Sequence, residues 1–344
     1  MRIEHVQGVR SAFLVVAGLM LGTTAMADGW GGRHDRNNDA CYQTTKVMKS
    51  ACQADVIDDF YVEYAKCLNT DEVRDCKLEA REEFEDAFGE CGEQAEGRND
   101  LCGRLPDAGP YLVELDPEDF TGQCAGGNPW YPLVPGTVTT FVNEYEEDGE
   151  TIIVEVLDET REIEGITAVI VRDTVYEGLP DDYDNPGEPE GDRIEDTDDY
   201  FAVDNDCNVW YLGEISQSFE DGYLTDLEGS FLMGEEGAKA GIIMPGNPMV
   251  GDVYRQEFAL GEAEDAGEIL SLATDINDEN GNSVGFVNPP YDCSDNMCLM
   301  TEDFIGNEPD SVEFKYFRFG VGFIAEQIPS GEVVLRLIKE EVLP

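Results

Sequence analysis

The 344-residue sequence has few basic residues: 21 Lys and Arg stand against 76 Asp and Glu, and the formal net charge is −55 at pH 7. A chain of this charge repels phosphate backbones and anionic lipids, so we exclude nucleic acid as a partner. Only two histidines are present, His5 and His34. Most zinc sites and catalytic triads need an imidazole. The composition therefore argues against zinc binding and histidine-centred catalysis.

Long apolar runs are also scarce. The one near the N-terminus, residues 12–22, is about half the ~20 residues that a membrane span requires. Arg2 and Arg10 precede it, and Ala25 and Ala27 follow at the positions that signal peptidase reads. We predict a secretory signal peptide over residues 1–27 and export to the periplasm or the medium. No cysteine stands directly after the run, so we expect neither a lipid anchor nor a membrane span.

Ten cysteines lie beyond this segment, and an even number in an oxidising compartment predicts disulfides. The first six are spaced 11, 15, 9, 15 and 11 residues apart, the same in both directions. Two antiparallel helices over residues 38–68 and 71–103 would bring them into three nested pairs. Apolar residues recur every three or four positions in both segments, as helices require. The predicted pairs are Cys41 with Cys102, Cys52 with Cys91, and Cys67 with Cys76.

The remainder of the chain predicts β-structure. A proline-containing linker over residues 105–127 separates the Cys-rich α-hairpin (28–104) from a β-rich domain (128–344). Short β-prone runs with turn residues between them favour an antiparallel barrel or a strongly curved sheet. The predicted fold class is therefore α+β, a disulfide-stapled antiparallel α-hairpin followed by an antiparallel β-barrel-like or strongly curved β-sheet domain. The predicted strands lie within 137–145, 151–157, 167–176, 200–203, 209–213, 253–259, 269–273, 298–301, 312–319, 322–326 and 333–338.

Four cysteines belong to the β-rich domain. Cys293 and Cys298 are close enough in sequence to pair locally, which would leave Cys124 for Cys207. Two other connectivities stay open, because sequence alone does not decide among them.

Several segments of this domain resemble a family of uncharacterised secreted bacterial proteins. The resemblance rests on NPWYPLVPGT at 128–137, NVWYLGE at 208–214, GAKAGIIMP at 237–245, GDVYRQE at 251–257 and GVGF at 320–323. It implies a Cys-rich helical segment followed by a β-domain, and it implies no activity. The chain departs from the family pattern at Cys207, where a glycine usually precedes the asparagine, and in a long acidic insertion.

Two acidic loops are candidate calcium sites. Asp204, Asp206 and Asn208 alternate in a way that places three oxygen ligands on one turn, and Asp275 and Asn277 begin a similar loop. Calcium prefers six to eight such oxygens. The second loop is not an EF-hand, since Phe286 stands at the position of the bidentate Glu. Both loops are also explained as ordinary turns, because Asp and Asn favour turns for backbone reasons.

Two further polar segments have structural explanations. Residues 181–199 carry ten carboxylates and two prolines, Pro186 and Pro189, and predict an irregular acidic loop that either gathers divalent cations or is merely solvated. In the strand-like run 254–257, Arg255 and Glu257 share one face and are predicted to pair.

The sequence predicts an exported, highly acidic, non-enzymatic binding or cell-envelope protein with weak divalent-cation binding. Calcium is the one cofactor that it suggests. Divalent cations, a protein or an apolar ligand are the partners that fit. The first alternative is a carrier that holds an apolar ligand inside a curved β-sheet. The second is a secreted hydrolase, which would need two facing carboxylates in a cleft with one raised pKa.

Overall fold

The computed structural model describes residues 39–145, 149–277, 293 and 297–343. The predicted signal peptide over residues 1–27 lies outside these ranges. Within them, the chain forms the helices α1 (Ala40–Cys67) and α2 (Val73–Arg104), a short 3-10 helix (Pro117–Asp119), and sixteen strands. The strands are β1 (Thr137–Asn143), β2 (Glu150–Ile163), β3 (Ile166–Glu177), β4 (Arg193–Val203), β5 (Val209–Ile215), β6 (Ser218–Glu220), β7 (Tyr223–Asp226), β8 (Phe231–Leu232), β9 (Lys239–Met244), β10 (Val253–Arg255), β11 (Glu257–Phe258), β12 (Asp265–Thr274), β13 (Cys298–Ile305), β14 (Glu308–Arg318), β15 (Gly322–Gln327) and β16 (Val333–Val342).

Helices α1 and α2 form the predicted antiparallel hairpin. The rings of Phe60 on α1 and Phe84 on α2 pack with centroids 5.0 Å apart. Three nested disulfides cross between the helices, and their connectivity is the one that the palindromic spacing predicts. The pairs are Cys41–Cys102, Cys52–Cys91 and Cys67–Cys76.

The strands form a nearly closed antiparallel barrel. Their order is β10-β12-β13-β14-β15-β16-β1-β2-β3-β4-β5-β9-β11. Strand β10 pairs with β12 and β11 pairs with β9, yet β10 and β11 are separated only by Gln256. The terminal strands of the sheet, β10 and β11, are therefore consecutive in the chain and are connected by one residue. A Cβ at Gly241 of β9 would lie 2.2 Å from the carbonyl oxygen of Gln256, so this junction requires glycine.

The inner face of the barrel carries an aromatic cluster. Phe201 of β4 stacks on Tyr211 of β5 with ring centroids 4.6 Å apart. Tyr131, from the segment before β1, packs against Phe201 and against Phe317 of β14. The outer face of β3–β5 is covered by the linker, whose Leu115 and Phe120 pack on the buried residues Ile163, Ile166, Ala168, Tyr200, Ala202, Leu212 and Ala240. The linker is thus part of the β-domain's packing.

The C-terminal part of α2 docks on the outside of the barrel. Leu101 is buried against Ala266 of β12 and Phe304 of β13. A Cβ at Gly97 would lie 2.9 Å from Cβ of Pro309 and 3.0 Å from the carbonyl oxygen of Gly306. Gly97 weakens an isolated helix, but here it allows the helix to approach the β13–β14 turn.

The prediction of an irregular acidic loop over residues 181–199 is wrong at its C-terminal end, because β4 begins at Arg193. Two of the carboxylates there are paired on the outer face with Arg172 of β3, which lies 3.7 Å from Asp196 and 2.8 Å from Asp198. The intervening Thr197 is buried. Cross-strand pairing and burial therefore outweigh the low β-propensity of Asp.

The predicted pairing of Arg255 with Glu257 is also wrong. The guanidinium of Arg255 lies over the rings of Tyr111 and Phe258, 5.7 Å and 5.1 Å from their centroids. Burial and, after it, the neighbouring Asp265 raise the pKa of Glu257 well above its ordinary value. The chain changes its pairing partner at Gln256, which breaks the simple alternation that the prediction assumed.

Asn128 joins three loops at one end of the barrel. It is fully buried, and its amide donates to the carbonyl oxygens of Cys207 and Pro245, both at 3.0 Å. Its own carbonyl oxygen accepts from the backbone N–H of Trp130 at 2.9 Å. These hydrogen bonds connect the segment before β1 to the 204–208 turn and to the loop after β9.

We expect Asn128→Ala to lower the free energy of unfolding by about 3 kcal/mol, since three hydrogen bonds between a buried side chain and backbone groups are lost at once. The thermal midpoint should fall by roughly 5 °C. Asn143→Ala is the matched control, because this partly buried Asn accepts from the N–H of Tyr145 but joins no distant loops. A drop no larger than that of the control would contradict the role given to Asn128.

Candidate functional site

A cavity of about 440 Å³ lies on the inner face of the barrel. Its wall is mostly apolar, and the period-two alternation of the strands explains which residues form it. Ile152, Val154 and Val156 of β2 point inward at this spacing, and neighbouring strands contribute in the same way. The apolar wall consists of Tyr131, Pro132, Leu133, Val134, Phe141, Ile152, Val154, Val156, Val171, Ile243, Phe317, Val321, Phe323, Leu335 and Val342.

Four of the five family-like segments line this cavity, and Ile243 of 237–245 and Gln256 of 251–257 contribute one residue each. Residues 131–134 belong to the NPWYPLVPGT segment and residues 320–323 form the GVGF segment, and both line the wall. The ring of Trp130 packs edge-on against Phe319, with centroids 5.2 Å apart. Segments that are far apart in sequence and share the family resemblance thus lie together around the cavity.

Charged and amide side chains form a polar region of the cavity wall. They come from β3, β4, β13, β14, β15, β16 and the β10–β11 junction. The group consists of Asp173, Asp199, Gln256, Asp303, Lys315, Glu326 and Glu340. The cavity therefore has an apolar wall and a strongly acidic polar region with one lysine.

A β-bulge brings a further carboxylate to this region. The register between β4 and β5 shifts so that Phe201 faces Tyr211 while Asp199 faces Glu214. Tyr211 and Glu214, three residues apart, therefore share the inner face. The hydroxyl of Tyr211 hydrogen-bonds to a carboxylate oxygen of Asp199 and, at 2.7 Å, to one of Glu214.

Lys315 is surrounded by acidic groups. Its ammonium lies 3.3 Å from Asp303 and 3.6 Å from Glu313. Asp303 also accepts hydrogen bonds from Gln256 at 3.0 Å and from Thr301 at 2.6 Å. Burial alone would lower the pKa of Lys315, but the surrounding carboxylates outweigh it and raise that pKa well above its ordinary value. The lysine is a paired cation.

Several of these carboxyl groups have raised pKa values. Burial, with the charges of Glu195 and Glu214 nearby, raises the pKa of Asp173 to about 7. Burial raises the pKa of Asp199 to about 7 against the hydrogen bond from Tyr211, and burial with the charge of Asp199 raises the pKa of Glu214 to about 8. Burial also raises the pKa of Glu326 to about 7. Near neutral pH the region is thus partly protonated.

Asp173 differs from the other acidic residues of the cavity. Its Oδ1 atom is buried and has no hydrogen-bond partner among the residues that the structure describes. Each charge that affects its pKa is another carboxylate, those of Glu195, Glu214 and Asp196. A buried carboxylate oxygen without a partner is costly. Asp173 therefore leaves a hydrogen-bond acceptor in the wall of the cavity.

The turn at 204–208 connects β4 to β5 and uses Asp204 to hold its own backbone. Oδ1 of Asp204 accepts from the N–H of Asp206 at 2.9 Å and of Asn208 at 2.8 Å. Its Oδ2 accepts from the side chains of Asn208 at 2.7 Å and Trp210 at 2.8 Å. These four donors are the arrangement expected of a hairpin turn, and the calcium hypothesis at this turn stays a prediction.

The turn is also tied to its surroundings by a disulfide. Cys207 pairs with Cys124, and Cys293 pairs with Cys298. Cys207 has a φ of 68°, a left-handed conformation that glycine adopts without strain. In this chain a cysteine adopts that conformation and is held by its disulfide to Cys124.

The second predicted calcium loop is described only in part. Oδ1 of Asp275 accepts from the N–H of Ile276 at 2.9 Å, and the carbonyl oxygen of Asn277 accepts from Gln327 at 2.7 Å. The remainder of this loop, residues 278–281 and Phe286, lies outside the described residues. Across the part of the chain that the structure describes, no group of three or more acidic, Cys or His side chains is arranged to hold a metal ion.

The sequence analysis missed the acidic residues of the cavity. One signal for them exists, because Asp173 follows Val169 and Val171 at the same alternation in a β-prone run. A carboxylate at an inward position of such a strand either is paired or serves a ligand. With so many carboxylates in the chain, this signal is visible only once the inner face is known.

Neither helix of the described residues is long and apolar enough to cross a membrane. The five disulfides are typical of proteins that mature in an oxidising compartment. No family model, no curated protein and no solved structure matches the chain.

Proposed function

We propose that the protein is an exported, non-enzymatic carrier that binds a small apolar ligand inside its barrel. The observation that carries this proposal is the cavity of about 440 Å³ with its largely apolar wall. Sites for small molecules usually have about 300 to 1,000 Å³, apolar linings and a few polar groups that fix orientation. An apolar ligand would remove this wall from water, which is favourable in proportion to the area covered.

We also propose that the chain belongs to the secreted bacterial family that it resembles and that residues 1–27 are a signal peptide. Five disulfides support export, and the acidic surface keeps the exported chain soluble.

The proposal predicts that a neutral apolar dye, N-phenyl-1-naphthylamine, binds in the cavity with enhanced fluorescence. Val154→Phe should weaken its binding at least tenfold, because Val154 lines the cavity and the larger ring occupies the ligand's space. The matched control is Ile153→Phe, on the same strand but on the opposite face. The measurement is fluorescence titration, with the thermal midpoint of each variant recorded to verify folding.

Equal binding by wild type and both variants would place the dye elsewhere and contradict the proposal. Absence of dye binding to the wild type would contradict it directly.

A carboxylate-based hydrolase is a second candidate. The observation that favours it is the hydrogen-bonded set of Asp199, Tyr211 and Glu214, whose two carboxyl groups have raised pKa values. Such a pair can act as acid and base. The two candidates differ in the fate of a bound ester or glycoside: a carrier releases it intact, whereas a hydrolase releases its products.

A further inference from the structure

We propose that the ligand of the cavity is an amphiphile with a basic nitrogen, whose apolar body lies against the wall and whose cationic head lies beside Asp173 and Asp199. This inference rests on the proposed function and names the chemical class of its ligand. Such a ligand requires an apolar cavity, a hydrogen-bond acceptor without a donor, and an excess of negative charge, all in one place.

The free acceptor is Asp173. Asp173 lines the cavity, and within the described part of the chain its buried Oδ1 has no hydrogen-bond partner. An ammonium donates up to three hydrogen bonds and accepts none, so it fits an acceptor of this kind. A charge-assisted hydrogen bond of this type is roughly twice as strong as a neutral one.

The charge balance points in the same direction. The charges of Glu195, Glu214 and Asp196 act on Asp173, that of Asp173 acts on Asp199, and all of them carry the same sign. Burial and these charges raise the pKa of Asp173 to about 7. A cation in this position would be attracted by every one of these groups.

An anionic head group fits poorly. The lysine of the cavity, Lys315, is already held by Asp303 and Glu313, and Glu326 and Asp265 also act on it. A carboxylate entering here would meet more negative groups than positive ones. An inorganic cation would leave the apolar wall exposed to water. An amine with a hydrocarbon body contacts both the apolar wall and the acidic region.

The test compares octylamine, 1-octanol and octanoate, which share one hydrocarbon chain and differ in the charge of the head. Each is titrated at pH 7.5 against wild-type protein loaded with N-phenyl-1-naphthylamine. We expect octylamine to displace the dye at a concentration at least tenfold lower than octanol, and octanoate to be the weakest.

Variants locate the effect. Asp173→Asn should remove most of the tenfold preference for the amine and leave the affinity for octanol unchanged, which also shows that the cavity is intact. Glu159→Gln removes one carboxylate from an exposed position of β2 and controls for general attraction of cations to an acidic protein. Asp199→Asn serves as a second variant where Asp173→Asn does not fold.

The outcomes separate the two proposals. Displacement by all three compounds at similar concentrations, or best by octanoate, overturns the amine inference and leaves the apolar cavity in place. An amine preference that persists in both Asp173→Asn and Asp199→Asn also overturns it. Failure of the dye and of all three compounds to bind overturns the proposed function itself.

Discussion

Arg98→Met should lower the free energy of unfolding by about 3 to 5 kcal/mol, which is the usual loss when one partner of a buried ion pair is removed. Arg98 on α2 is 5% exposed and Glu264 is 2% exposed. The guanidinium donates to both carboxylate oxygens of Glu264, at 2.8 Å from Nε and 2.6 Å from Nη2. Removing Arg98 leaves a buried carboxylate whose one remaining hydrogen bond within the described residues comes from the N–H of Gly261.

The effect should be largely reversed in the double variant Arg98→Met with Glu264→Leu. Replacing both partners by apolar groups removes the uncompensated charge, and such replacements are often neutral or stabilising. The measurement is urea unfolding followed by tryptophan fluorescence, because a charged denaturant would screen the ion pair.

A control on the same helix isolates the effect of burial. Arg104 also joins α2 to the barrel, at 2.7 Å from Glu268 and 2.8 Å from Glu302, but it is 22% exposed. Arg104→Met should cost about 1 kcal/mol, as expected of a more exposed pair. Equal losses at Arg98 and Arg104 would show that burial of the Arg98–Glu264 pair adds nothing to the docking of the hairpin.

The hairpin was predictable because disulfides and helical periodicity impose independent constraints on the same residues. Cys52 and Cys91 had to lie on facing helical stripes for the nested pairing to work, and the apolar residues Phe60 and Phe84 lie on those stripes. The docking of α2 was not predictable. Arg98 and Glu264 are 166 residues apart, and each looks in sequence like one more charge in a chain that has many.

The sequence predicted the barrel-like fold class but only some of the individual strands. Strand β9 escaped prediction because Gly241 and the nearby Pro245 resemble a loop, whereas the glycine is there to let two backbones approach. The start of β4 escaped because its carboxylates have low β-propensity, and pairing with Arg172 compensates for this only in three dimensions.

The inner acidic cluster lay beyond sequence reasoning for a related reason. Whether Glu214 faces inward depends on the bulge that shifts the register between β4 and β5. A one-residue shift moves a side chain to the other face of a sheet. The alternation of apolar residues predicts a strand but not its bulges, so it places Asp173 on the same face as Val169 and Val171 but cannot place Glu214.

The same cluster should make the folded protein most stable in mildly acidic solution. The pKa values of Asp173, Asp199 and Glu326 are raised to about 7 and that of Glu214 to about 8. In the unfolded chain these groups have ordinary values near 4. Between about pH 4 and pH 7 the folded state therefore binds more protons than the unfolded state, and stability falls as the pH rises.

Each fully shifted group contributes a slope of about 1.4 kcal/mol per pH unit over this interval. Water in the cavity reduces this value, so we expect a loss of about 1 kcal/mol or more per group between pH 5 and pH 8. The measurement is the thermal midpoint from pH 5 to pH 8.5 at constant ionic strength, which holds the screening of exposed charges fixed.

Repulsion among the many surface carboxylates also increases with pH, and substitutions distinguish the two causes. Asp173→Asn and Glu214→Gln remove groups whose pKa values are raised by burial, so each should flatten the dependence of the midpoint on pH. Glu159→Gln removes the same charge from the exposed surface and should shift the whole curve with little change of slope. Parallel curves for all three variants would assign the pH dependence to surface repulsion, and the buried carboxyl groups would then be ionised in the folded barrel.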